Sequence, residues 1–373
     1  MQDHPRIRNL LKKGVDDGVY PGAVLLVALS GEIVFFEAVG HASLVPTPSP
    51  MGKETVFDLA SLTKPLATTL AIMKLLEDGK IDLDQPLSNI LPVSLLSDKK
   101  DLNIRLILSH SAGFVDWRPF YLNLTKVNPE KRKHIIREQI IEEPFVYKTG
   151  TGCLYSDLGF MILEWIVEEI SGTALKTFVD NLFFKPLHLA NLFLSTNGRM
   201  ADIKAMSIAS TEDCPWRKRV LCGEVHDENA FALGGYSGHA GLFGDAEGVF
   251  HLVDVLRGHY LGARNDCLSQ KTVKTFFTKQ DLVPGCTWAL GWDTPSQSDS
   301  SAGRYFSPNS VGHLGFTGTS VWMDLEKDVI VIILTNRVHP TRNNQKIRGF
   351  RPILHDAVME EFQRSSNRGL QYG

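Results

Sequence analysis

The sequence predicts an α+β fold, sandwich-like in its layering: an antiparallel β-sheet built from both ends of the chain, flanked by helices, with a helical lobe inserted between. Three observations predict it. Strand-like runs at residues 23–29 and 32–39 flank Ser30-Gly31, a two-residue hairpin turn. A second pair, 319–324 and 329–335, flanks Leu325-Glu326-Lys327-Asp328 near the far end. Between the pairs, apolar residues recur mostly at three-to-four spacing, the helical period. Sheet at both ends and helices between mean one β-layer completed by distant segments.

Taken in order, residues 10–17 form an amphipathic helix pattern ahead of the first hairpin. Residues 41–53 are rich in proline and small polar residues and read as a loop. Leu62, Leu66, Leu70 and Met73 then mark a helix that starts at Ser61, with Pro65 in its first turn, where a missing N–H costs nothing, and Gly79 at its far end. Further helices are expected over 104–109, 130–142, 158–170, 174–184 and 246–257, and a last one near 350–362. Residues 158–167 are apolar almost all round, so that helix is expected to be buried. Residues 297–303, rich in Ser and Asp, read as a loop. The chain divides as one domain, 1–373, with a sheet lobe of 1–57 plus 290–373 and a helical lobe of 58–289.

Composition narrows the function. A chain of 373 residues that is 43% hydrophobic buries a substantial core, and a formal charge of −3 gives no general attraction to nucleic acid or anionic lipid. No stretch approaches the length of a membrane span. The partner expected is a small-molecule substrate, not nucleic acid or a membrane; the oligomeric state stays open. Cys153, Cys214, Cys222, Cys267 and Cys286 are irregularly spaced and form no C-x-x-C, which argues against both a zinc site and a disulfide framework. Free thiols and an N-terminus without an export pattern predict a cytoplasmic protein.

The most informative short motif is Ser61-Leu62-Thr63-Lys64. A hydroxyl at a helix start, an amine one turn on and free helix N–H groups are the parts of an activated serine nucleophile. S-x-x-K arises about once or twice by chance in a chain of this size, and Ser97-Asp98-Lys99-Lys100 is a second match, in a polar stretch that reads as a solvated turn. Alone, Ser61 reads equally as a helix cap beside a surface lysine. Tyr155-Ser156-Asp157 opens the buried helix, and alone Tyr155 reads as a surface ring or core anchor. His313-Leu314-Gly315-Phe316-Thr317-Gly318-Thr319 precedes a strand; its glycines serve structure or let a substrate lie against the backbone.

In this order the three motifs resemble the serine β-lactamase and penicillin-binding-protein superfamily, and look closest to its class C β-lactamase-like serine hydrolases, an esterase and DD-peptidase branch. Leu106-Ile107-Leu108-Ser109-His110-Ser111-Ala112-Gly113, Pro21-Gly22-Ala23, Leu83-Asp84-Gln85-Pro86-Leu87, residues 224–230 and Gly238-His239-Ala240-Gly241-Leu242-Phe243 are similar to segments of that family, so the resemblance runs from about residue 17 to 362. It implies a β-lactamase/transpeptidase-like fold, an acyl-enzyme on Ser61, proton transfer through Lys64 and Tyr155, an oxyanion held by the N–H groups of Ser61 and Phe316, and His313 beside Tyr155 on the strand edge with Gly315 against the substrate. It implies no metal and no organic cofactor. Two positions depart from the family pattern. His313 stands where lysine is usual, which removes a fixed cation. Asp157 stands where asparagine is usual, which removes an amide donor and supplies an anion able to hold Lys64 protonated. Both departures favour a neutral acyl ester or amide over a β-lactam. The alternatives are a DD-peptidase or D-aminopeptidase on muropeptide-like substrates, and a weakly active penicillin-binding module.

Other residues stay unassigned. His226, Asp227, Glu228 and His239 match no metal spacing and are read as ordering a loop beside the site. His110 is read as making a structural hydrogen bond. Trp117, Phe120 and Tyr121 read equally as acyl-pocket lining and as core. The glycines at 234–235 and 238–241 lack the context of a phosphate loop.

Overall fold

The structure is a computed structural model and describes residues 4–92, 97–197 and 206–369. Strands β1 (Gly22–Leu29), β2 (Glu32–Ser43), β3 (Ser49–Pro50), β4 (Phe57–Asp58), β5 (Leu192–Leu194), β6 (Asp213–Cys214), β7 (Arg219–Val220), β8 (Leu242–Gly244), β9 (Val311–Leu314), β10 (Ser320–Asp324) and β11 (Val329–Thr335) form three sheets. The main sheet has six strands in the order β3-β2-β1-β11-β10-β9. Its central pairing joins the two ends of the chain: β1 runs antiparallel to β11 from Ala23 opposite Thr335 to Leu29 opposite Val329. A small sheet, β4-β8-β5, lies beside it.

Period-two alternation gives the sheet two apolar faces. Val24, Leu26, Val321, Met323, Ile330 and Ile332 face the larger core, shared with the helical lobe. Ala23, Leu25, Val27, Trp322, Val331 and Ile333 face a second core, covered by the first helix, Pro5–Asp16, and the last, Ile347–Gly369. The expected buried helix is Asp157–Ser171, with Leu158 through Val167 all buried. Among the described residues, no helix is long and apolar enough to cross a membrane.

The structure departs from the sequence reading in several places. The Ser61 segment is not a uniform α-helix. A 3₁₀ turn (Ala60–Leu62) leads into a π-helical stretch (Lys64–Thr69), and regular α-helix begins only at Leu70–Glu77. Pro65 cannot donate to the carbonyl four residues back, so the first turn lacks a bond that would enforce α-geometry. Gly79 does end the helix, at φ +63. Part of the expected 41–53 loop extends β2 and forms β3, and residues 174–184 split into α-helix (Leu175–Val179) and π-helix (Asp180–Phe184). The Gln270–Phe277 helix and the small sheet go unanticipated, because their segments are too short to show a clear period.

Two expectations about particular residues are overturned. Cys153 and Cys286 are joined as a disulfide, 133 residues apart in sequence with Cα atoms 5.9 Å apart, and only Cys214, Cys222 and Cys267 are free. Sequence spacing could not show the pair, because the fold brings the two segments together. The bond removes the argument for a reducing compartment that rested on an all-thiol chain. In the second S-x-x-K match the motif lysine, Lys100, is exposed as expected, but its neighbour Lys99 is buried rather than solvated, paired with Asp98 at 2.9 Å and lying 4.5 Å from the Phe145 ring. The residues preceding that match, 93–96, lie outside the described residues.

Candidate active site

Three chain segments meet at Ser61. The first carries Ser61 itself. Asp58 closes a turn by accepting from the Ala60 N–H (2.9 Å), and Ala60 takes φ +48, a left-handed conformation that costs about 1 kcal/mol or more for a residue with a Cβ. Thr317 Oγ1 donates to the Asp58 carbonyl (2.8 Å), and Thr319 Oγ1 to the Leu59 carbonyl (3.1 Å), so the loop after β9 is tied to the turn that presents Ser61. Gly315 is required there: a Cβ would stand 2.0 Å from Thr319 Oγ1 and 2.6 Å from the Leu59 carbonyl oxygen.

The second segment begins the Asp157–Ser171 helix. His110 Nδ1 accepts from the Ser156 N–H at 3.0 Å, and Ser156 Oγ donates to the Val115 carbonyl at 2.6 Å. His110 is thus a structural hydrogen-bonding residue for the Tyr155–Asp157 motif. The third segment is the turn at 237–241. Glu164, inside the apolar helix, accepts from Ser237 Oγ (2.7 Å) and the Gly238 N–H (2.9 Å) and pairs with Lys133 (2.7 Å). Thr68 Oγ1 donates to the Gly238 carbonyl at 2.6 Å.

Lys64 stands at the centre with no exposed surface. Its ammonium donates to Ser61 Oγ (3.0 Å) and the His239 carbonyl (3.2 Å), pairs with Asp157 Oδ1 (2.7 Å), and lies 4.7 Å from the Tyr155 ring centroid. Burial pushes the Lys64 pKa down, but Asp157 and Tyr155 more than offset it, and the net shift is upward. Tyr155 interacts with both Ser61 and Lys64; burial raises its pKa, and the Lys64 charge opposes that rise. Ser61 and Tyr155 each keep partial exposure.

His313 lies on β9 with its ring 6.0 Å from Tyr155 and 5.6 Å from Trp288, centroid to centroid. Burial, and then the Lys64 charge, push its pKa down to about 3, so it is neutral near pH 7. Trp288 stacks on Tyr155 at 5.6 Å and meets His110 at 4.4 Å. Sequence reasoning missed Trp288, which carries no motif; the disulfide brings its segment here, since Cys286 lies two residues before it and Cys153 two before Tyr155. The Ser61 and Phe316 N–H groups make no hydrogen bond among the described residues. The Phe316 carbonyl accepts from Arg337 Nε at 2.8 Å, and the exposed Phe316 ring stacks on His226 at 5.5 Å.

The loop at 226–228 is held beside the site. The His226 N–H donates to Asp58 (2.6 Å), Arg217 donates to the carbonyls of Val225 (2.6 Å) and His226 (3.1 Å), and Arg342 pairs with Glu228 (2.7 Å). His239 pairs with Asp227 at 2.9 Å, and Asp157, Asp227 and His239 place ligand-type atoms within 4.8 Å of one another. Lys64 already pairs with Asp157, so a metal ion in that cluster would have to displace a cation. Of the aromatic residues read as acyl-pocket lining or core, Phe120 packs in the core, Tyr121 meets Trp216 at 4.7 Å, and Trp117 is exposed.

The Beta-lactamase family profile matches residues 7–351. The chain is 32% identical to a Bacillus subtilis protein named N-acetylmuramyl-L-alanine amidase, over 90% of this chain and 81% of that one. It is also 32% identical to a Salmonella typhimurium protein named provisionally as a D-alanyl-D-alanine carboxypeptidase, over 92% of this chain and 84% of that one. Its fold is similar to that of EstCE1, described as a hydrolase with promiscuous acyltransferase activity, at a TM-score of 0.71 and 24% identity, covering 93% of this chain and 98% of that one. Profile, relatives and fold agree over nearly the whole length, and the chain belongs to the Beta-lactamase family of serine hydrolases.

Proposed function

We propose that this hydrolase cleaves small acyl esters or amides through an acyl-enzyme on Ser61. The observation that carries the reading is the Lys64 ammonium, buried and 3.0 Å from Ser61 Oγ. Ser61 Oγ attacks the acyl carbon. Because Asp157 keeps Lys64 protonated and burial keeps Tyr155 a neutral phenol, Tyr155 acts as a relay: its oxygen takes the Ser61 proton as its own proton moves on toward the leaving-group atom. The Ser61 and Phe316 amides receive the developing oxyanion, at about 3 kcal/mol per donor. Water then releases the acid by the same relay. A neutral His313 offers no fixed charge for a substrate carboxylate, which favours a neutral acyl group over a β-lactam.

The names of the two relatives are consistent with a second reading within the same chemistry: an amide bond in a muropeptide-like fragment, as a DD-peptidase or amidase substrate. One experiment tests both. Ser61→Ala should abolish labelling by a fluorophosphonate in intact-protein mass spectrometry, and the wild type should turn over p-nitrophenyl esters of short acids faster than any penicillin. Labelling retained in Ser61→Ala sinks the mechanism. Release of a free amine from a muropeptide at a higher kcat/KM than from esters selects the second reading, and a long-lived penicillin adduct selects a binding module.

A further inference from the structure

The Cys153–Cys286 bond stands beside the Ser61 cleft. The Trp288 ring, two residues beyond Cys286, packs against three site residues at once: Tyr155 at 5.6 Å, His313 at 5.6 Å and His110 at 4.4 Å between centroids. The Tyr155 segment is held from its own side, since the Leu154 N–H donates to the His110 carbonyl (3.0 Å) and the Tyr147 hydroxyl (3.1 Å). Trp288 is held differently. Among the described residues, the hydrogen bonds of residues 280–289 stay within 278–294, apart from one that Arg105 donates to the Gln280 side chain (2.9 Å). The two sulfurs lie 3.8 and 3.9 Å from the Ser109 carbonyl but, bonded to each other, carry no proton to donate to it. No hydrogen bond among the described residues joins 280–289 to 150–156. The disulfide and the ring stack are what tie the Trp288 loop to the Tyr155 segment. The loop is otherwise a surface one: Lys279, Asp281, Leu282, Pro284 and Gly285 are exposed, and Cys153 is only half-buried.

We propose that Cys153–Cys286 is a redox-modification site that controls turnover at Ser61: a dithiol reductant opens the bond, releases the Trp288 loop and slows the reaction. The inference rests on the serine-hydrolase reading of the cleft. A thiolate of the reductant attacks the Cys153 sulfur, the more accessible of the two, and forms a mixed disulfide. Cys286 leaves as a thiolate and takes up a proton. The reductant's second thiol then displaces Cys153 and closes its own disulfide, so two electrons pass from the dithiol to the protein. With the covalent tie gone, the ring stack alone joins the loop to the Tyr155 segment, and Trp288 no longer fixes the Tyr155 ring. Trp288 is a positioning residue in this scheme, acting on the reaction through Tyr155. Misalignment of a proton relay falls on kcat rather than on KM.

The test compares the full chain oxidised and after dithiothreitol. Alkylation in denaturant, read by intact-protein mass spectrometry, should count three thiols without reductant, at Cys214, Cys222 and Cys267, and all five cysteines after it. On reduction, kcat for a p-nitrophenyl ester should fall about tenfold or more with KM little changed, and should recover on reoxidation. The double variant Cys153→Ser/Cys286→Ser should show the kcat of the reduced enzyme and no response to dithiothreitol; if it does not fold, the reduced wild type decides. Reduction should also change the tryptophan fluorescence of the wild type but not of Trp288→Phe. The proposal fails if five thiols are alkylated without reductant, if the fully reduced enzyme keeps the oxidised kcat, or if Trp288→Phe shows the same fluorescence change as the wild type. An oxidised wild type with no ester turnover overturns the hydrolase reading instead, and the proposed control of turnover falls with it, while the fluorescence change still reports whether the bond holds the loop.

Discussion

Lys64 is the residue on which the electrostatics of the cleft turn. A fully buried ammonium ordinarily loses its proton, and here Asp157 at 2.7 Å prevents that. Asparagine at 157 would keep the shape and remove the anion. Burial, the largest single influence on Lys64, already lowers its pKa, so Asp157→Asn should bring Lys64 into the range of a working base. The expected outcome is that the ascending limb of the pH profile of kcat/KM for an aryl ester moves to lower pH, by one unit or more. An unmoved limb would mean that Lys64 does not titrate in the step observed. At this scale the sequence is readable where a residue departs from a familiar pattern: Asp157 and His313 are visible as substitutions, and their charge follows from elementary acid–base chemistry. Trp288 and the His239 carbonyl are not readable, because a lone tryptophan and a backbone oxygen have no signature until the chain is folded.

Among the elements, the Asp157–Ser171 helix and the 237–241 turn act as a unit. The helix is legible from its apolar run, but the role of Glu164 within that run is not. It is a buried carboxylate whose acidity is maintained, against burial, by Lys133 and by the Ser237 hydroxyl. Removing it strands Ser237 Oγ and the Gly238 N–H and leaves Lys133 with Glu168 as its carboxylate partner. Glu164→Ala should therefore cost about 2–5 kcal/mol in urea unfolding, from two buried groups left without a partner. Any folded fraction should hydrolyse esters more slowly, since His239, whose carbonyl receives Lys64, sits in the released turn. A loss below 1 kcal/mol would show that the clamp is not structural. The Ser61 helix teaches the complementary lesson. Its apolar period correctly locates a helix, while the 3₁₀ and π geometry at its start comes from Pro65 and from ties to Gly238 and Thr317 that no local pattern encodes.

For the molecule as a whole, the two hairpins are enough to predict a sheet shared by both ends of the chain, because each has its own turn and alternation. The pairing of β1 with β11 follows only from the need to cover two apolar faces at once. The same burial has a pH signature. His110, His313 and His355 are enclosed and neutral, with pKa values pushed down by burial first, His313 and His355 to about 3. For a depressed group the unfolded chain binds the proton first, so stability is complete above about pH 6.5 and is lost as pH falls toward the folded values. Asp293, raised to about 6 by burial, and Asp58, also raised by burial, oppose this, while His259 and His339, lowered by burial, add to it. Urea midpoints should therefore fall steadily between pH 6.5 and 4.5; a flat profile would mean that these histidines are hydrated in the fold.

The β1–β11 pairing also fixes an order of events during synthesis. Residues 22–29 are nearly all buried in the finished sheet, against a partner at 329–335. At about 5–20 residues per second, a ribosome takes tens of seconds to travel from one to the other. For that interval the first hairpin waits with an apolar edge uncovered, the situation in which strands join the wrong neighbour. Ser61 and Lys64 are already translated by then, but the Phe316 amide is not. On the proposed mechanism, a nascent chain therefore carries its nucleophile long before it can stabilise an oxyanion, and hydrolysis begins only when the last strands have left the exit tunnel and closed the sheet.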